Sequence, residues 1–217
     1  MKRILFTLFV FVSTLSADLV IDGLSSGDLI FGSSSQIIVE NTHTLTLRNL
    51  TVKNLSGDRI VMEGTESKLA LEDVVIWLDG DYSFTQGHLY IHDDVCISGT
   101  STFAYQSGQQ SYINQYSTLY LDFDTTFSYD SKVANRTLID MYNRTSKMHC
   151  NGCTLYSTPT GLMLTKGTMI FENLVTLSAD GQVSSEAISL GNPDGDDLAT
   201  KFLSGARVET YGKIDGK

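Results

Sequence analysis

The stretch Leu45-Thr-Leu-Arg-Asn-Leu-Thr-Val52 decides the fold, because it recurs along the chain. It returns as Leu69-Ala-Leu-Glu-Asp-Val-Val-Ile76 and, more loosely, as Leu89-Tyr-Ile-His-Asp-Asp-Val-Cys-Ile97. In each copy two apolar residues alternate with polar ones, a polar pair containing Asp or Asn follows, and a second alternation begins. This period-two pattern predicts short, half-buried strands joined at a bend.

The copies of this phrase recur every 20 to 30 residues, which is typical of stacked coils. They start at Leu45, Leu69, Leu89, Leu119, Met148 and Met169. Each copy contains three strand-like pieces, so we predict an all-β fold: a single-stranded, right-handed parallel β-helix (β-solenoid) of about seven to eight coils. A leucine-rich repeat is the alternative solenoid. It needs a helical segment in each repeat, and second halves such as Gly57-Asp-Arg-Ile-Val-Met62 are not helical.

The alignment of the copies also predicts which side chains share the interior. One inward file should run through Leu47, Leu71, Ile91, Leu121, Cys150 and Phe171. The polar stretch Gln106–Thr118 is predicted to be a lateral loop. The last residues, 205–217, resemble part of a coil and not a cap, so we expect either a domain truncated at its C-terminal end or end-to-end self-association.

The first seventeen residues are predicted to be a secretory signal peptide. Lys2 and Arg3 precede an apolar run at Ile4–Val12, and small residues lead to a cleavage site after Ala17. The run is too short to span a bilayer as a stable helix, although an uncleaved anchor is the alternative. We therefore expect one β-helix domain over residues 18–217, without a transmembrane span after cleavage, exported to the periplasm, the cell surface or the medium.

The charge of the chain excludes some partners. It carries 15 Lys and Arg against 25 Asp and Glu, a net charge of −10. Such a protein repels nucleic acid and anionic lipid, so we expect no nucleic-acid partner.

Several segments resemble a family of uncharacterised exported β-solenoid repeat proteins from intracellular bacteria of the Dependentiae (Babeliales) type. They include Asp79-Gly-Asp-Tyr-Ser-Phe-Thr-Gln-Gly87, Thr126-Phe-Ser-Tyr-Asp130 and Asn151-Gly-Cys-Thr-Leu-Tyr-Ser-Thr158. This resemblance implies export and the solenoid but no activity. At the level of the fold the chain is also similar to the pectin-lyase-like superfamily, which includes polysaccharide lyases and hydrolases.

The catalytic pattern of polygalacturonase-like enzymes is not matched. Asp93-Asp94 and Gly87-His88 occur in reversed order, and Arg59-Ile60 continues into Val61 and not into Lys. The Asp pair therefore indicates a corner, and no catalytic residue is assigned. We predict a non-catalytic binding module, adhesin-like, for glycans or a host or cell-surface protein. The alternative is a carbohydrate-active enzyme of the pectin-lyase-like type, which should cluster carboxylates with a Lys or Arg in a groove.

Trp77 is the single tryptophan, and its alternation with Ile76 and Leu78 places it on the outer side of a strand. Together with Asp79, Asp81 and His88 it is the predicted ligand contact, because an outward Trp can stack on a sugar ring. No cofactor is expected, except that Asp194, Asp196 and Asp197 could bind Ca²⁺ in a segment whose composition otherwise indicates a turn.

The three cysteines are too few for a disulfide scaffold. Cys150 and Cys153 are predicted to point into the coil on either side of a corner, where they either pack or form a disulfide. Zinc would need two further ligands, so no metal is assigned there. Cys96 is predicted to point outward.

Overall fold

The computed structural model describes residues 13–15, 17–191 and 198–216. These residues form an all-β, parallel β-solenoid of about eight turns, as predicted. The strands in chain order are β1 (Ser13–Leu15), β2 (Leu19–Asp22), β3 (Leu29–Ile30), β4 (Ile37–Glu40), β5 (Thr44–Gly57), β6 (Ile60–Glu63), β7 (Lys68–Phe84), β8 (His88–Ser98), β9 (Thr102–Tyr105), β10 (Ser111–Ile113), β11 (Thr118–Leu121), β12 (Thr126–Tyr129), β13 (Ile139–Met141), β14 (Lys147–Asn151), β15 (Thr154–Ser157), β16 (Leu162–Leu164), β17 (Gly167–Glu172), β18 (Leu174–Ala179), β19 (Ile188–Leu190), β20 (Leu198–Phe202), β21 (Arg207–Tyr211) and β22 (Ile214–Gly216). A short α-helix, α1 (Gly23–Ser26), and a 3₁₀ turn at Ser184–Glu186 also occur.

Successive strands fall on three faces of the solenoid. The first face holds β2, the starts of β5, β7 and β8, and then β10, β13, β16, β19 and β22. The second face holds β3, the middle of β5 and β7, the end of β8, and β11, β14, β17 and β20. The third face holds β1, β4, β6, the end of β7, and β9, β12, β15, β18 and β21. Every pairing between these strands is parallel, so each turn offers its backbone groups to the next.

The corners explain the polar pair in the repeated phrase. Between the first and second faces, Asn49, Asp73 and Asp93 adopt positive φ values of 53°, 51° and 55°. Among residues with a side chain, Asn and Asp adopt this left-handed conformation most readily. The prediction that Asp93 and Asp94 form a corner is therefore confirmed. Gly152 (φ 63°) and Asn173 (φ 57°) turn the chain in the same way between the second and third faces.

The predicted inward file is correct in its first half. Leu47 pairs with Leu71, which pairs with Ile91, and all three side chains are buried. Ile91 then pairs with Ile113 and not with Leu121 as predicted.

The second half of the predicted file belongs to another face. Leu121 pairs with Ile97 and with Cys150, and Cys150 pairs with Phe171. All of these side chains are buried, so the prediction that they point inward is confirmed. The prediction that they continue the file of Leu47, Leu71 and Ile91 is wrong. The sequence alignment joined a file of the first face to a file of the second.

The cause of this error is the stretch Gln106–Thr118, which was predicted to be a lateral loop. It contains β10, which pairs with β8 and β13 and so completes the first face. Its inward positions are Ser111 and Ile113, so only one of them is apolar. The Ser111 hydroxyl compensates by accepting a hydrogen bond from the Leu89 amide at 2.9 Å and contacting the Tyr105 hydroxyl at 2.9 Å.

The predicted signal peptide lies largely outside the described residues. Its described part includes β1, which pairs in parallel with β4 of the first complete turn. Export and cleavage after Ala17 stay predictions. Among the residues that the structure describes, no helix has the length and apolar character needed to cross a membrane.

Candidate ligand-binding surface on the second face

The outward side chains of the second face form two columns that run across the turns. The strand register places the first column in the order Val75, Cys96, Tyr120, His149 and Ile170. These residues come from five consecutive turns, because each outward position lies beside its partner on the neighbouring strand.

The second column is mostly polar and is held by hydrogen bonds. It begins at Trp77, which pairs with Ser98. The Ser98 hydroxyl donates to Asp122 Oδ2 at 3.0 Å, and Asn151 Nδ2 donates to Asp122 Oδ1 at 3.1 Å. Asn151 then pairs with Glu172. The Asp122 carboxylate thus links three turns of the face.

A groove of about 490 Å³ opens over the first column. Its lining residues are Asp73, Val74, Val75, Asp94, Val95, Cys96, Thr118, Tyr120 and His149. The groove exists because two small side chains, Val75 and Cys96, precede the large ring of Tyr120. Its volume falls within the range of pockets that bind small ligands.

One side of the groove is acidic. Asp73 and Asp94 lie at the corner between the first and second faces and are exposed. The Asp94 amide donates a long hydrogen bond of 3.4 Å to Asp73 Oδ1, so the two residues are neighbours on successive turns. No Lys or Arg is among the groove's lining residues.

His149 and Tyr120 form the far wall of the groove. Their rings meet edge to face with centroids 4.6 Å apart. His149 Nε2 lies 3.0 Å from Glu172 Oε2, but the two atoms are not aligned for a hydrogen bond. Burial lowers the pKa of His149, and the neighbouring Glu172 carboxylate partly offsets that effect. Burial, followed by Glu172 and Asp122, raises the pKa of Tyr120.

Cys96 forms the floor of the groove and points outward, as predicted. Burial, followed by the negative charge of Asp122, raises the pKa of its thiol to about 11. At neutral pH the side chain is therefore a thiol and not a thiolate. Because the thiolate is the nucleophile and the metal ligand, Cys96 is poorly suited to either role.

The structure brings together only some of the predicted contact residues. Trp77 is 53% exposed and follows Val75 on the outward side of β7, beside the groove, and Asp79 continues the same row. Asp81 lies past the corner, where its Oδ1 accepts a hydrogen bond of 2.8 Å from the Thr102 amide. His88 starts β8 on the first face, where it pairs with Lys68, so it lies on a different face from Trp77.

His88 instead belongs to an aromatic row on the first face that sequence reasoning missed. Its ring contacts that of Tyr90 with centroids 6.2 Å apart, and Tyr90 contacts His92 at 6.3 Å. Tyr90 also stacks on Tyr112 of the next turn at 5.4 Å. The alternation in His88-Leu-Tyr-Ile-His92 was the available signal, but the stacking partner Tyr112 lay in the stretch that was predicted to be a loop.

Cys150 and Cys153 both point into the coil, as predicted, on either side of the corner at Gly152. The structure has them as free thiols in contact with each other. A hydrogen bond to Cys153, followed by burial, raises the pKa of the Cys150 thiol. The alternative of a disulfide between them stays a prediction.

No metal centre is formed by the part of the chain that the structure describes. Within residues 13–15, 17–191 and 198–216 no three His, Cys, Asp or Glu side chains converge as metal ligands. The predicted Ca²⁺ site at Asp194, Asp196 and Asp197 lies outside the described residues.

Three comparisons with known proteins complete this description. No protein-family model, no curated protein sequence and no solved structure matches the chain. The resemblances to Dependentiae-type exported proteins and to the pectin-lyase-like superfamily therefore stay predictions.

Proposed function

We propose that this protein is an exported, non-catalytic binding module and that its ligand is a glycan held on the second face. The observation that carries the proposal is the groove beside Trp77, which combines an aromatic surface with carboxylates. Both groups suit sugars, because aromatic rings pack against the apolar faces of sugar rings and carboxylates accept hydrogen bonds from hydroxyl groups.

The spacing of the strands fits a ligand that lies across several turns. Neighbouring strands are roughly 4.8 Å apart, so Val75 and Tyr120 are separated by roughly 10 Å with only Cys96 between them. A sugar above Cys96 would contact Tyr120 on one side, and a second sugar would reach Trp77. Asp73 and Asp94 would then face the hydroxyl groups along the acidic side of the groove.

The composition of the groove favours binding over catalysis. An enzyme of the pectin-lyase-like type is expected to place a Lys or Arg with its carboxylates, and the residues that line this groove include neither. Cys96 is held as a thiol, which makes it a poor nucleophile. The acidic side of the groove also disfavours acidic polysaccharides, so we propose a neutral glycan as the ligand.

A glycan array, followed by calorimetric titration with the strongest neutral ligand, tests this proposal. Trp77→Ala and Tyr120→Ala should each weaken binding about tenfold or more, because each removes an aromatic contact. Tyr211→Ala is the matched control, since Tyr211 is exposed on the third face of the last turn and should not affect binding. Circular dichroism should show that all three variants are folded.

The same preparation should be incubated with acidic and neutral polysaccharides in a reducing-end assay. Release of reducing ends would favour an enzyme and contradict the proposal if it is lost in the double variant Asp73→Asn/Asp94→Asn, which neutralises the two carboxylates of the groove. Glycan binding that is equal in Trp77→Ala, Tyr120→Ala and the unaltered protein would place the ligand on another surface.

A further inference from the structure

His149, in the far wall of the groove, has a buried nitrogen for which the fold provides no hydrogen bond. Its side chain is 16% exposed, and its Nε2 atom has no partner among the residues that the structure describes. Glu172 Oε2 lies 3.0 Å from Nε2 but is not aligned to accept from it. Buried polar atoms are nearly always paired, so this unpaired nitrogen beside a carboxylate indicates a contact that protonation would complete.

Three adjacent strands hold these groups together. His149 lies on β14, between Tyr120 on β11 and Ile170 on β17. Glu172 follows Ile170 on the outward side of β17, and its strand partner is Asn151. Because β14 is paired on both sides, a change of charge on His149 can rotate the ring but cannot move its backbone out of the wall.

The titratable and charged side chains around His149 belong to its own strand and to the turns on either side. In the described part of the chain they are Cys96, Tyr120 and Asp122 of the preceding turns, Lys147 of β14, Glu172 of β17 and Lys201 of β20. Burial lowers the pKa of His149, Glu172 partly offsets this effect, and the two lysines lower the pKa again. At pH 7.5 the ring is therefore uncharged.

Protonation changes what the ring can do. Charged His149 carries a proton on Nε2, and the Glu172 carboxylate can then accept a charge-assisted hydrogen bond, which is about twice as strong as a neutral one. The ring must rotate to align this N–H with Oε2, because the N–H lies in the plane of the ring. Rotation disrupts the edge-to-face contact with Tyr120, in which the centroids are 4.6 Å apart and the planes meet at 71°.

We propose that His149 and Glu172 make the groove a proton-operated binding site, which holds its neutral glycan at neutral pH and releases it in acid. This inference rests on the proposed function, because the groove must bind a glycan for its affinity to change. The neutral ring packs against Tyr120 and completes the far wall, whereas the charged ring turns to Glu172. A bound glycan also covers His149 and removes water from it, which disfavours the charged form. Binding and protonation therefore oppose each other.

Calorimetric titration with the strongest neutral ligand of the glycan array, at pH 7.5 and at pH 5.0, tests the inference. The affinity should fall as the pH drops through the pKa of His149, by at most about tenfold per pH unit, because one proton is linked to binding. His149→Gln should show nearly the same affinity at both pH values, whatever that affinity is. This variant keeps Asp73 and Asp94, so an equal loss in it would assign the effect to those carboxylates and overturn the inference.

Two further variants test the assignment to this pair. His88→Gln is the matched control, since His88 lies on the first face, and it should keep the full pH dependence. Glu172→Gln removes the charge that favours protonated His149, so the pKa of His149 should fall and the loss of affinity should move to lower pH. A lost pH dependence in His88→Gln, or a loss of affinity in Glu172→Gln that does not move to lower pH, would overturn the inference.

Nuclear magnetic resonance of the unliganded protein separates this device from the proposed function. The His149 ring signal, identified by its absence in His149→Gln, should titrate with a midpoint below the ordinary value of about 6.5, and the Tyr120 ring signals should shift with the same midpoint. If this coupled titration occurs but no glycan binds at any pH, the proposed function has failed and the proton-driven movement of the wall stands. If the Tyr120 signals do not follow His149, the inference is overturned even where a glycan binds.

Discussion

Replacing Phe127 with alanine should destabilise the domain by about 4 kcal/mol. Phe127 is completely buried on the third face, where it pairs with Phe103 on one side and with Leu155 on the other. Its ring is nearly parallel to that of Phe103, with centroids 5.8 Å apart and an angle of 7° between the planes. Truncation of a buried Phe costs about 3–5 kcal/mol, and the upper part of this range applies where the cavity cannot collapse.

Collapse is restricted at this position because the backbone of β12 is hydrogen-bonded on both sides. Its register with β9 and β15 is fixed over four residues each, so neither neighbour can move in without breaking a ladder. The lost ring contact alone accounts for about 0.5–1.5 kcal/mol of the total. Since domains of this kind are stable by about 5–15 kcal/mol, the variant should still fold.

Urea unfolding followed by circular dichroism measures this loss. Phe123→Ala is the control, because Phe123 is 53% exposed at a corner and its truncation should cost less than about 1 kcal/mol. A loss of stability below about 1 kcal/mol for Phe127→Ala would refute the packing argument, provided that the slope of the unfolding free energy against urea concentration is unchanged. A smaller slope would instead indicate that the turns unfold separately.

Three other predictions concern the buried core and the cysteines. Leu71→Asp should abolish the cooperative unfolding transition, because it buries a carboxylate without a partner; a variant with the melting temperature of the unaltered protein would contradict the register. Cys96 should react slowly with iodoacetamide at pH 7, and the rate should rise about tenfold per pH unit until the pH approaches the thiol pKa of about 11; fast alkylation at pH 7 would show that the thiol is ionised. Dithiothreitol should leave the melting temperature unchanged if Cys150 and Cys153 are packed thiols, whereas a loss of several degrees would reveal a disulfide.

The fold could be predicted because the repeated phrase contains both of its local determinants. Alternating apolar residues specify which side of each strand is buried, and the Asn or Asp in the polar pair specifies the left-handed corner. Asn49, Asp73 and Asp93 meet that requirement in three successive turns. Where both signals are strong, as in β5, β7 and β8, the predicted pairing of the turns is correct.

The predicted pairing of the turns is wrong where one of these two signals is absent. In the turn after β8, the strand on the first face is β10, which has only three residues. One of its inward positions is occupied by Ser111. A buried serine gives no apolar periodicity, and its hydrogen bonds to Leu89 and Tyr105 join residues 22 and 6 positions apart. An alignment based on leucines therefore does not detect β10, and it aligns Leu119 of the second face with Leu89 of the first face.

The candidate groove could not be predicted for the same reason. The copies at Leu119 and Met148 already place Tyr120 beside His149, but the alignment does not place either residue beside Cys96, because β11 pairs with the end of β8 and not with its start. Trp77 was predicted correctly as an outward residue, because this depends on alternation within one strand. His88 was wrongly grouped with it, because closeness in sequence does not keep two residues on one face of a coil.

The separation of inward and outward positions also determines how the variants should be interpreted. Stacked turns are stabilised mainly by contacts of each turn with its neighbours, which the inward files and the backbone ladders provide. Outward residues such as Trp77 and Tyr120 can then change without loss of the fold. Ser98 is the informative exception, since it is buried and also donates to Asp122 in the outward column. A Ser98→Ala variant should therefore affect stability and the groove together, whereas Trp77→Ala should affect binding alone.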